Sequence, residues 1–141
     1  MRRYIEIVLA VIGASAAIFP LFTAVITGEV PADAAVLTGI GPALLLIDLS
    51  LFGLVGLAGN ILDAAERPGP LGYLTWAAVG GLVVALLFGF FRVFMMVALA
   101  GFAIAALLAD FRRKREGMQY LLVLGAAGVI NALILFGLIR L

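Results

Sequence analysis

The chain has 141 residues, of which 66% are hydrophobic and 12% charged, with a net charge of +1. Soluble domains average about half apolar and a quarter charged, so the bilayer must be the solvent, and spans of about 20 residues then fill the length with no extramembrane catalytic domain. There is no cysteine or histidine, which removes disulfides, thiolate chemistry, the usual haem ligands and nearly all zinc geometries, and so small a net charge offers nothing to nucleic acid.

The first predicted span covers residues 4–27. It begins after Arg2 and Arg3 and carries Ala14-Ser15-Ala16, a small-residue triplet of the kind that ends a secretory signal. The apolar run continues well past that triplet, so a retained helix is expected. Glu6 follows Arg3 by three residues and Arg2 by four, and reads as an interfacial side chain paired with them. Pro20 should kink this helix and free the carbonyl near Ala16. The loop that follows holds Glu29 and Asp33 and no base, which suits an outer face.

The second span, 35–62, would be roughly 42 Å long as one helix, against a hydrocarbon core of about 30 Å. It must tilt, or its first turns must unwind at Gly41-Pro42. In the unwound case Asp48 is expected about one and a half turns from the midplane, and in the tilted case near it. Gly53, Gly56 and Gly59 form a small-residue stripe that would let a second helix approach closely.

Residues 71–109 are apolar almost throughout, with Arg92 near the centre. A single helix would be roughly 58 Å long, so two spans, 71–89 and 93–109, are expected as a hairpin turning at Phe90-Phe91-Arg92. The cluster Arg112, Arg113, Lys114, Arg115 closes the pair and is a candidate contact for anionic lipid. The last span, 119–139, contains Asn131.

Lys and Arg mark the cytoplasmic side of short loops. Five spans with the N-terminus inside place Arg2, Arg3, Arg67, Arg112, Arg113, Lys114 and Arg115 inside and Arg92 and Arg140 outside. Four spans would move the basic cluster out and erase most of the asymmetry. Tyr4, Tyr73, Trp76 and Tyr120 also fall at the inner ends of five spans, where aromatic anchors belong. The expectation is an all-α membrane protein: one domain over 1–141, a bundle of five transmembrane helices in a prokaryotic cytoplasmic membrane, N-terminus inside and C-terminus outside.

Asp48 is the one acid expected deep in a span, and an ionisable group there is a functional candidate by default. Its alternative role is structural, accepting hydrogen bonds from Ser50 or Asn131 or pairing with an arginine of a partner subunit. Asn131 reads as an interhelical tie. Asp48, Ser50 and Asn131 therefore form the candidate intramembrane site. No catalytic residues, metal ligands or cofactor are expected, and an intramembrane enzyme would need a second acid, base or metal ligand.

Two functions fit. The first is a non-catalytic subunit or assembly partner of a larger membrane complex, suggested by the lack of a soluble domain and by small-residue stripes on many faces. The second is a small homo-oligomeric transporter or channel for protons or cations, working through Asp48. The expected partners are the lipid bilayer and either other membrane subunits or further copies of this chain.

Overall fold

The computed structural model describes residues 2–29, 39–61, 74–113 and 119–140. These form five helices: α1 (Arg2–Thr27), α2 (Gly41–Ile61), α3 (Leu74–Leu87), α4 (Arg92–Arg113) and α5 (Gln119–Arg140). Four of them, all but α3, are long and apolar enough to cross a membrane, which is compatible with an integral membrane protein. With 14 described residues, α3 is about 21 Å long, short of a bilayer core.

Each helix end has a local cause. Pro20 sits inside α1, which runs on to Thr27 and stops at Gly28, whose φ of 70° favours glycine. The second span does not begin at residue 35 as one long helix. Gly39 takes φ 61° in a turn and α2 starts at Gly41, the unwound alternative of the sequence reading. With α2 so bounded, Asp48 is three residues from its centre, or about 4.5 Å, and not the turn and a half that this alternative implied.

The long apolar stretch breaks at residues 88–91, and Arg92 is the first residue of α4. Gly89 turns with φ 87° and buried Phe91 with φ 49°, a left-handed conformation that a bulky side chain rarely adopts. Residues 71–73 of the expected third span, and Arg67, lie outside the described residues.

Helices α1 to α4 pack in an up-down ring. α1 runs antiparallel to α4, with Gly13 against Phe102 and the Phe19 and Phe94 rings 5.1 Å apart. α2 runs antiparallel to α3, through Gly59 at Thr75, Gly56 at Ala78 and Phe52 at Gly81. Phe102, fully buried, fills the middle. α5 lies outside this ring and packs chiefly on α3. The two are parallel, with Gly80 beside Leu124 and Val84 beside Gly128.

Lipid tails are as apolar as leucine, so close packing must hold such helices together. At two crossings the backbones touch. A Cβ on Gly101 would lie 2.6 Å from the Leu9 carbonyl oxygen, and one on Gly80 would collide with the Leu124 carbonyl. The stripe on α2 points three ways: a Cβ at Gly53 would meet that of Ala17 at 2.9 Å, at Gly56 the Phe102 ring at 2.7 Å, and at Gly59 Leu74 at 2.8 Å. The core is thus alanine and glycine at the crossings, with Leu45, Leu49, Leu82, Met95, Phe102 and Leu135 filling between.

Candidate functional site

The site is built on α2. Its buried side spans Leu45, Asp48, Leu49, Gly53, Gly56 and Gly59. Asp48 is 8% exposed and lies at one edge of that buried arc. Phe52, one turn further along the same edge, packs its ring against Gly81 of α3. On its other side Gly81 meets α5, for its carbonyl accepts the Asn131 Nδ2–H at 2.5 Å. One turn of α3 is therefore flanked by the Asp48 edge of α2 and by Asn131, and this is the α2–α3–α5 seam.

Two oxygens on the seam have no surface and no donor among the described residues: Asp48 Oδ2 and Asn131 Oδ1. Burying a polar atom without a hydrogen bond is costly, and for a charge at a bilayer's centre insertion scales give at least about 2.5 to 3.5 kcal/mol. Asn131 itself is fully buried, and its single interhelical bond ties α5 to α3. Such bonds contribute about 0.6 kcal/mol on average.

Ser50 does not belong to the site. Residues two apart on a helix point about 200° from each other. The Ser50 hydroxyl donates its proton backwards to the Leu46 carbonyl, at 2.8 Å. Neither of the intrachain donors that the sequence offered to Asp48 is spent on it: Ser50 bonds Leu46 and Asn131 bonds Gly81. An apolar cleft of about 280 Å³ between α1 and α2, with Leu46, Ile47 and Pro42 in its wall and Glu29 at its mouth, opens on the opposite side of α2 from Asp48.

The other polar residues gather at the end of the bundle where α1 and α3 begin and α4 ends. Trp76 donates its indole N–H to Asp110 Oδ2 at 2.9 Å, clamping the start of α3 to the end of α4. Thr75 donates to the Gly56 carbonyl at 3.4 Å. Glu6, expected at the interface, is instead fully buried, and both it and the buried Asn60 are engaged with partners. Its position three and four residues from two arginines gave no sign of burial, because that depends on α4, which crosses α1 at Gly13 and Gly101. Arg112 and Arg113 end α4, while Lys114 and Arg115 lie outside the described residues.

Among the described residues no three His, Cys, Asp or Glu side chains come together as a metal site would need. The polar chemistry inside the bundle thus reduces to one carboxyl and one amide, each with an enclosed, unpaired oxygen. No protein-family model, no curated protein and no solved structure matches this chain.

Proposed function

We propose that this chain is a small ion-translocating membrane protein, a proton- or cation-linked transporter or channel, with Asp48 as the group that holds the ion. The observation that carries this reading is the enclosed Asp48 oxygen without a donor, near the middle of α2. A carboxylate in apolar surroundings must be given a proton, a cation or a basic partner. The intrachain donors are spent elsewhere. An arginine from another subunit would need to reach an atom with no accessible surface. A small ion is the occupant that fits, and alternate exposure of α2 to the two sides would move it.

The test is flux through liposomes containing the purified protein, with the potential clamped by potassium and valinomycin and internal pH and sodium followed by dyes. Wild type should conduct and Asp48→Asn should not, while helicity and monodispersity stay unchanged. Wild-type flux in Asp48→Asn overturns the reading.

A second reading, the non-catalytic subunit of a larger complex, is favoured by one feature of α5. It rests chiefly on α3 and turns Leu122, Val129, Leu133 and Phe136 outward. Native mass spectrometry after gentle extraction separates the two. Stoichiometric release with unrelated subunits supports the second reading, and release alone or as a closed homo-oligomer supports the first.

A further inference from the structure

Resting on the ion-translocating reading above, we infer that the ion held at Asp48 is a proton and not a metal cation. The argument is one of ligand supply. Hard cations gather about six oxygens, and those bound within membranes draw many of them from unwound backbone. Asp48 stands inside an uninterrupted helix, Gly41–Ile61, and the facing α3 is uninterrupted over Leu74–Leu87. Backbone carbonyls in such stretches are already bonded along their own helices. The Gly81 carbonyl, nearest the seam, also takes the Asn131 amide.

Side chains add little. Ser50 points away and is bonded to Leu46. Asn131 Oδ1 lies across the Gly81 turn. No other carboxylate comes near, since α3 (Leu74–Leu87) has no titratable residue, and neither has α5 between Leu121 and Ile139, α4 between Val93 and Ala109, or α1 between Ile7 and Thr27. Glu6, Arg92, Asp110 and Arg140 stand at helix ends. A metal ion here would keep one anionic ligand and lose most of its shell. A proton needs a single oxygen, leaves the group uncharged, and suits walls made of Phe52, Leu135 and the α3 backbone.

The experiment is infrared difference spectroscopy of the protein in supported bilayers, wild type against Asp48→Asn, perfused alternately with sodium and choline buffers at neutral pH. The expected result is a protonated-carboxyl C=O band in wild type that is lost in Asp48→Asn and is the same in both buffers. A band that vanishes in sodium and returns in choline overturns the inference, as does a wild-type spectrum with only carboxylate bands at Asp48. Asp48→Glu serves as a second variant, since it should move the band without removing it even if Asp48→Asn folds poorly. Flux separates the two failures. Flux that survives Asp48→Asn defeats the ion-translocating reading, whereas flux lost in Asp48→Asn but dependent on sodium defeats the proton alone.

Discussion

Asp48 and Asp110 are the same residue type in the same bundle, and their surroundings differ in kind. Asp110, near the end of α4, accepts the Trp76 indole N–H at 2.9 Å. Asp48, near the centre of α2, has an enclosed oxygen that no described residue satisfies. At a helix end a polar side chain finds an aromatic N–H and the interface, so its burial is easily offset. In the middle of a bundle, with the backbone bonded along its own helices, the only donors are those a neighbouring helix happens to bring, and here they are spent on Leu46 and Gly81. The first aspartate is structural and the second is retained at a cost, which is where function is to be sought.

The comparison can be broken or sharpened at several points. The largest effect is expected at Gly80, because the enclosure of the seam depends on α3 touching α5 there. Gly80→Leu should destabilise the bundle by about 3 kcal/mol, measured by unfolding in mixed micelles. Gly125→Ala, in open space on α5, is the control and should change little. A tolerated Gly80→Leu would mean that the seam is loose enough to admit another subunit's side chain, and the case against an arginine partner would weaken.

Next is Asp48→Leu. If the enclosed oxygen is a net cost, this change should stabilise the protein by about 2 kcal/mol while abolishing flux. Loss of stability instead would mean that Asp48 has a structural partner. The opposite sign is expected at the other aspartate's contact: Trp76→Phe removes the indole bond to Asp110 and should cost about 1.5 kcal/mol, read in the same unfolding assay. The smallest effect is expected for Asn131→Leu, where loss of a bond of about 0.6 kcal/mol is offset by removing the unpaired Oδ1. A cost several times larger would show that the amide oxygen has a partner, and the two sides of the seam would then differ.

Much of the fold follows from length and hydropathy. The break in the apolar stretch 71–109 is legible because no helix crossing a bilayer is that long, and the turn falls at residues 88–91 with Arg92 opening α4. The start of α2 was legible as two alternatives, and Gly39 with φ 61° decides between them. Burial was harder to read. Met95 and Met96 are neighbours in sequence, and one is fully buried while the other is exposed. In a bundle whose outer faces are also apolar, hydrophobicity does not distinguish the side facing lipid from the side facing protein. Glu6 is the polar counterpart of this difficulty.

The sequence by itself determines that the chain is helical, apolar enough for a membrane, free of cysteine and histidine chemistry, and equipped with one acid deep in a span. These follow from composition and from the fixed rise of a helix against the thickness of a bilayer. Tertiary structure alone decides what stands beside that acid. Which donors reach Asp48, that Ser50 turns away from it, that Asn131 bonds Gly81, and that α5 lies outside the ring all depend on how far apart the helix axes sit. That spacing is set where glycine lets backbones touch, at Gly101 against Leu9 and at Gly80 against Leu124.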